Sequence, residues 1–257
     1  MSFKIMVIPD TQIKTGVPLE HLEWAGKYAV AKKPDVIVMI GDWADMPSLS
    51  SYDVGKKSFE GRRYKDDINA SIEGMRRFLG PIREFNAQAK RNKEKQYKPR
   101  QILTLGNHEE RINKAVESDP KLEGTISIDD LCYREFGWEV YPYLEPVVVE
   151  GVAFCHFFTT GVMGRPVTSA QALLNKKHQS CVMGHVQGRS IAFATRADGK
   201  QMTGIFVGGF YQHDEDYLKW QGNAQTWRGI WMLHQVNDGA FDEMPISMEF
   251  LRSKYAG

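Results

Sequence analysis

Short apolar runs that stop abruptly at a small or polar residue set the strongest constraint on this chain. Ile5-Met6-Val7-Ile8-Pro9 runs into Asp10-Thr11-Gln12, Val38-Met39-Ile40 into Gly41-Asp42-Trp43-Ala44-Asp45, and Leu103-Thr104-Leu105 into Gly106-Asn107-His108-Glu109. Further on, Phe154-Cys155 leads into His156, and Val182-Met183 into Gly184-His185-Val186-Gln187. Each apolar run is short and bounded, so it reads as a buried strand. Between the first two strands, Leu19, Leu22, Gly26 and Ala29 recur at helical spacing over Pro18–Lys32. Before the third, Ile68, Ile72, Met75, Leu79 and Ile82 mark one face of a second helix, which Gly80-Pro81 should kink or divide. The first half is therefore β-α-β-loop-α-β, a layered α/β pattern. The polar run 45–66, with Lys56, Lys57, Arg62, Arg63 and Lys65, reads as a long loop or cap.

The second half is richer in strands. Pro146–Glu150, Val152–His156, Ser180–Met183, Ser190–Thr195, Thr203–Val207, Gly229–His234 and Ile246–Leu251 all fit strands, with one helix near Ser169–His178. Lys90–Lys98 fits a solvated helix end. With 257 residues and no repeat or low-complexity segment, a single domain spanning 1–257 is expected.

Charge and cysteine content narrow the function classes. Lys plus Arg is 33 against 32 for Asp plus Glu, which excludes a bulk polybasic nucleic-acid binder but leaves room for a local basic patch. No apolar run approaches the roughly 18 residues of a membrane span, and the first residues turn acidic too soon for a signal peptide. Cys132, Cys155 and Cys181 form no C-x-x-C pair and read as buried small side chains, in keeping with a reducing, cytoplasmic setting.

The chemistry lies at the strand ends. Five of them deliver carboxylates, amides and imidazoles, the inventory of a metal site, to the edge where open α/β sheets bind ligands. The glycines at 41, 106 and 184 let the backbone turn sharply there. The series Asp-x-Gln, Gly-Asp-x-x-Asp, Gly-Asn-His-Glu, a lone His and Gly-His-x-Gln resembles the calcineurin-like metallophosphoesterases, whose pattern is D-x-H, G-D, G-N-H-[DE], H and G-H-x-H. The motifs run in the family's order from position 10 to 187. The compact chain is similar to small bacterial and bacteriophage members.

The resemblance implies a four-layer α-β-β-α sandwich with two metal ions at its upper edge. Asp10, Gln12, Asp42 and Gln187 would hold the first ion; Asp42, Asn107, His156 and His185 the second, with Asp42 bridging. His108 would be the proton donor to the leaving oxygen and Asp45 its orienter. Two divalent ions roughly 3.5–4 Å apart can share and activate a hydroxide and clamp phosphoryl oxygens. Gln12 and Gln187 stand where the family has histidines, so the first site is all-oxygen and favours Mn²⁺ or Mg²⁺ over Zn²⁺ or Fe. Met46-Pro47 and Leu105 replace the arginine motifs of the protein phosphatases, which argues against that branch.

The expected activity is hydrolysis of a phosphodiester, with a nucleic acid or nucleotide as substrate and no membrane or obligate protein partner. A phosphomonoesterase, a non-catalytic metal-binding interaction module and a single-metal structural protein are the rivals. Arg111, Arg165 and His213 are the candidates for holding substrate. The aromatic stretch near 210–229, with Phe210, Tyr211, Tyr217, Trp220, Trp227 and Trp231, either stacks a base or forms a hydrophobic cluster under a long loop. His21 and His178 read as surface residues and His234 as structural.

Overall fold

A computed structural model of the chain describes residues 2–215 and 218–257; Tyr217 of the aromatic stretch lies outside the described residues. The fold is mixed α/β, with two mixed sheets and, among the described residues, six α-helices. Strands β1 (Ile5–Ile8), β2 (Val36–Met39), β3 (Arg100–Thr104) and β4 (Glu139–Tyr141) run parallel. The antiparallel pair β10 (Gly229–Asn237) and β11 (Ala240–Ser247) extends this sheet on the β1 side. The second sheet has the order β5 (Val147–Val149), β6 (Val152–Cys155), β7 (Cys181–Met183), β9 (Gln201–Val207) and β8 (Arg189–Thr195).

The alternation of strand side chains sorts the core into three clusters. Ile5, Val7, Val38 and Ile40 pack against Val147, Phe154, Val182 and Ile205, so one cluster lies between the sheets. Met6, Ile8 and Met39 point the other way, onto Leu22, Ala25, Met75 and Phe78 of helices α1 (Glu20–Lys32) and α2 (Tyr64–Arg91). The outer face of the second sheet, with Ala153, Cys155, Met183 and Phe206, is covered by Ala170 and Leu173 of α4 (Ala170–Lys177). Strands buried on both faces read as continuous apolar runs, which is why the sequence marks them so plainly.

Three local expectations differ from the structure. Gly80-Pro81 does not divide α2, which continues through Pro81. Pro81 sits at the contact with α1, where a side chain on Gly26 would meet the Phe78 carbonyl oxygen at 2.2 Å and the Pro81 ring at 3.1 Å. The tight α1–α2 packing thus offsets the hydrogen bond that proline removes. Ile246–Leu251 is not one strand. β11 ends at Ser247, whose hydroxyl accepts from the Phe250 N–H and caps α6 (Met248–Tyr255). Ile246, Met248 and Phe250 alternate as in a strand, but the helix turns Leu251 fully into the core. His21 is buried, not on the surface: the segment after β9 covers it, with Phe210 edge-on at 4.9 Å and Gln212 hydrogen-bonded to Nδ1 at 3.1 Å. Burial takes its imidazole down to about 3, so it is neutral.

The cap region carries two short 3-10 turns, Pro47–Leu49 and Lys57–Phe59, before α2 begins. α3 (Glu110–Ser118), β4 and α5 (Lys219–Gln225) are short and carry few apolar residues, and no reading of the sequence singled them out. No helix among the described residues is long and apolar enough to cross a membrane.

Candidate metal centre

The ends of β1, β2, β3, β6 and β7 meet at one edge, where the two sheets approach each other. The chain turns there through backbone conformations that side chains rarely adopt. Gln12, Asp42, Met46 and His185 all have left-handed φ values, 43°, 52°, 50° and 65°. Such residues cost about 1–3 kcal/mol each and persist where the surroundings over-determine them, as at functional sites. Two glycines permit the approach. A Cβ on Gly106 would stand 2.1 Å from Asp42 Oδ1, and one on Gly184 would stand 2.3 Å from Asp10 Oδ1.

Asp42, His156 and His185 bring one ligand atom each to within 4.8 Å of one another, a possible cation site. Asn107 joins them, its Oδ1 2.9 Å from His156 Nε2 and 2.8 Å from His185 Nδ1. His156 Nδ1 is 3.0 Å from the Ile40 carbonyl, a hydrogen bond that fixes the ring and leaves Nε2 facing Asp42, 3.4 Å from Oδ2. On the other side, Asp10 accepts from the His185 N–H at 3.1 Å and from Gln187 Nε2 at 2.9 Å. Gln187 Oε1 is buried with no partner. Gln12 is also buried, its N–H bonded to the Asp42 carbonyl at 2.9 Å.

The electrostatics are those of acids and imidazoles crowded out of water. Burial, with Asp42 nearby, pushes the Asp10 carboxyl up to about 7. Burial acts the same way on Asp42, but His108 and His156 outweigh it and hold Asp42 well below the usual carboxylate range. Burial pulls His156 down, yet Asp42, Asp10 and Glu109 outweigh it and raise the imidazole to about 9. His185 is taken down to about 4 by burial and the neighbouring His156 charge.

His108 sits beside this cluster. Its N–H donates to Asp42 Oδ1 at 2.9 Å, and its Nδ1 is 2.7 Å from Asp45 Oδ1. Burial disfavours its charged form, but Asp42 and Asp45 more than compensate and raise its pKa. Arg111 donates to the Asp45 carbonyl at 2.7 Å and lies 3.2 Å from His108 Nε2. Asp42, Asp45, Asn107, His108, Arg111, His185 and Gln187 line a cleft of about 1160 Å³ between the 47–67 cap and a wall that includes Glu215, Leu218 and Thr226.

Two candidates for substrate contact are placed elsewhere. Arg165 is exposed in the 159–166 turn, closed by the Thr159–Pro166 bridge, and does not line the cleft. His213 does not line it either: its Nε2 is 2.7 Å from Glu215 Oε1 and its ring lies against Tyr211. Phe210, Tyr211 and Trp231 are buried, and Trp227 packs on Trp231 at 5.5 Å. The described aromatics are therefore mostly a packed cluster, with Trp220 left exposed. Of the basic cap residues, Lys56, Arg62 and Arg63 line the cleft, but Lys56 and Arg62 are both engaged by Asp53.

Three residues of the site had no role in the sequence reading. Glu109 is fully buried and accepts from the N–H groups of Asp42, Ala44 and Gly106 at 2.9–3.0 Å and from the Tyr133 hydroxyl at 3.2 Å. It thereby ties the turns after β2 and β3 together, and its place directly after Asn107-His108 was the available signal. Lys14 makes the third side-chain contact of Asp45 and is itself paired with Glu215, and the separation of Lys14 and Glu215 along the chain hides the pair from any local pattern.

No family model matches the chain. A stretch of 84 residues, 33% of the chain, is 39% identical to the Gene 54 protein of Mycobacterium phage L5, and it spans 31% of that protein's length. A solved crystal structure overlays 96% of this chain and 100% of its own, at 11% identity and a TM-score of 0.40, too low to bear on the fold.

Proposed function

We propose that this protein is a dinuclear metal-dependent phosphoesterase of the calcineurin-like type that hydrolyses a phosphodiester, with a nucleic acid or nucleotide as the favoured substrate. The observation that carries the reading is the convergence of Asp42, His156 and His185 on one point beside an imidazole–carboxylate pair, His108–Asp45, at the floor of a large cleft. The core clusters between the sheets and on each outer face support the α-β-β-α layering that this reading calls for.

The donor set fits divalent cations. Asp42, Asn107, His156 and His185 would hold one ion, and Asp10, Gln12, Gln187 and the shared Asp42 the other; the unpartnered Gln187 Oε1 and the high pKa of Asp10 are what a cation would relieve. When bound, the ions would supply an activated water and positive charge against the phosphoryl oxygens. The chain's own residues do the rest. His108, held by Asp45 through Nδ1, presents Nε2 to the cleft as a proton donor for the departing oxygen. Arg111 lies 3.2 Å from that same Nε2, where its guanidinium can hold a phosphate oxygen beside the proton donor. Glu109 and the glycines keep Asp42 and Asn107 in place without entering the reaction.

A single-ion structural protein has no use for a proton donor with its own carboxylate, which counts against that rival. The test is hydrolysis of bis-(4-nitrophenyl) phosphate, 4-nitrophenyl phosphate, single-stranded DNA and cyclic nucleotides with added Mn²⁺. Diesters should be cleaved and the monoester poorly. No turnover of any ester with two ions bound would refute the enzyme reading.

A further inference from the structure

Asp45 has two carboxylate oxygens, and the second one leads away from the metal centre. Oδ1 faces His108 Nδ1 at 2.7 Å, while Oδ2 is 3.0 Å from Lys14 Nζ. The same ammonium is 2.7 Å from both Glu215 oxygens. Glu215 is itself fixed: its Oε1 is 2.7 Å from His213 Nε2, its N–H donates to Asn223 Oδ1 at 2.9 Å, and its carbonyl accepts from Asn223 Nδ2 at 2.9 Å. Glu215 and Asp45 side chains are only 4% and 8% exposed, so two carboxylates face each other out of water with one lysine between them.

We propose that Lys14 and Glu215, both of which line the cleft, are positioning residues for the His108–Asp45 pair. A carboxylate with one free oxygen can rotate and offer either oxygen to an imidazole. The Lys14 ammonium, held by Glu215, takes Oδ2 and leaves Oδ1 in the plane that orients His108 Nε2 toward the reacting oxygen. Lys14 does not touch the substrate's reacting atoms; it acts through Asp45. The arrangement also explains why His213, named for substrate binding, lies behind Glu215 instead of facing the cleft. Without Lys14, Asp45 Oδ2 loses its ammonium partner while His108 and Arg111 still draw on Oδ1, so the carboxylate is free to turn and the His108 ring loses its fixed orientation.

The kinetic part of this proposal rests on the phosphoesterase reading, so the test carries a readout that does not. Lys14→Met and Glu215→Gln are compared with wild type and with Lys14→Arg, all loaded with Mn²⁺. On thymidine 5′-phenyl phosphate, a poor leaving group, Lys14→Met should lose on the order of 10–10² in kcat with KM nearly unchanged, as expected for a misplaced catalytic group. On the 4-nitrophenyl analogue, which scarcely needs protonation, the loss should be about threefold or less. Lys14→Arg should recover most of the rate, and combining Lys14→Met with Glu215→Gln should add little. Independently of turnover, in the same proteins loaded with diamagnetic Mg²⁺ instead of Mn²⁺, the Nδ1–H proton of His108, assigned by its loss in His108→Ala, should appear in the low-field NMR region in wild type and in Lys14→Arg and vanish or shift in Lys14→Met. An unmoved proton signal would overturn the proposal. So would equal losses on both leaving groups, or an effect confined to KM. If wild type cleaves no ester at all, the phosphoesterase reading falls and the proton signal alone decides whether Lys14 orients the pair.

Discussion

The two halves of the proposed metal centre would share Asp42 and are built differently. On one side His156 and His185 stand on the ends of β6 and β7, with His156 braced from behind by the Ile40 carbonyl. On the other, Asp10 and Gln187 are bonded to each other, and Asp10 is held by main chain, its carbonyl accepting from the Phe210 N–H at 2.7 Å. The imidazole half is fixed by sheet geometry and has its donors aimed in advance. The amide half depends on the segment after β9 and offers neutral oxygens. A preorganised nitrogen site binds late transition metals tightly; an oxygen site of two carboxylates and two amides binds Mn²⁺ or Mg²⁺ with less distinction between metals.

The largest effect should come from the residue that joins the halves. If the proposed centre is right, Asp42→Asn should abolish turnover and lower occupancy at both ion sites, because one carboxylate would serve two ions and Asn keeps only the acceptor for the His108 N–H. Metal content by mass spectrometry under native conditions, read beside the rate, checks this. Near wild-type activity with two ions bound would break the link between the halves. His108→Ala should act on neither half: both ions stay, and the rate on a poor leaving group falls by on the order of 10²–10⁴.

How much of this was legible follows from how far apart the partners lie along the chain. Asp10, Asp42, Asn107, His156 and His185 were apparent because each directly follows an apolar strand, and strand order delivers them to one edge. Gly106 and Gly184 were apparent for the same reason. Lys14–Glu215 was not, since it joins residues 201 apart and neither stands in a pattern. Arg165 follows His156 by nine residues and looked well placed, yet the turn closed by the Thr159–Pro166 bridge carries it to solvent. His21 looked like a surface residue because the segment that covers it comes some 190 residues later. Local sequence reports what is buried on a strand or helix; it does not report what a distant loop folds over.

A smaller effect separates the halves by their protons. Burial pushes Asp10 up to about 7 and the surrounding carboxylates raise His156 to about 9, so without a cation Asp10 is part-protonated and His156 protonated at neutral pH, and cation binding should displace these protons. Calorimetry in buffers of different ionisation enthalpy should find roughly one to two protons released at pH 7. Affinity in the amide half should rise with pH and level off above about 7, while the imidazole half should keep gaining to about 9. Stability follows the same sign. His156 is raised above its unfolded value, so its contribution is complete below about 6.5 and is lost as pH rises through about 9. His108, also raised, acts in the same direction. The Tm of metal-free protein should therefore fall between pH 7 and 9, and added Mn²⁺ should remove that fall. A Tm that rises over this interval would mean that these imidazoles are not charged in the fold.

The smallest effect, and the most specific, comes from the two glutamines. The amide half should fill after the imidazole half and release its ion more easily, since amide oxygens are weaker donors than imidazole for late transition metals and the gap narrows for Mn²⁺ and Mg²⁺. Activity should then depend on Mn²⁺ in the assay, with Zn²⁺ a poor substitute. Gln187→His, alone or with Gln12→His, should tighten this half and shift its preference toward Zn²⁺ or Fe. Hydrogen bonding permits the change at 187, because Gln187 Oε1 has no partner to lose and its Nε2 contact to Asp10 can be remade by an imidazole N–H. Gln12 is buried and in a left-handed conformation, where histidine is tolerated better than most residues, so the double variant tests the site without breaking the turn. Titration of metal-stripped protein should show two unequal affinities in wild type that converge for Zn²⁺ in the double variant. Equal affinities in wild type, or an unchanged metal preference in the double variant, would show that the glutamines are not ligands and that the two halves differ in support alone.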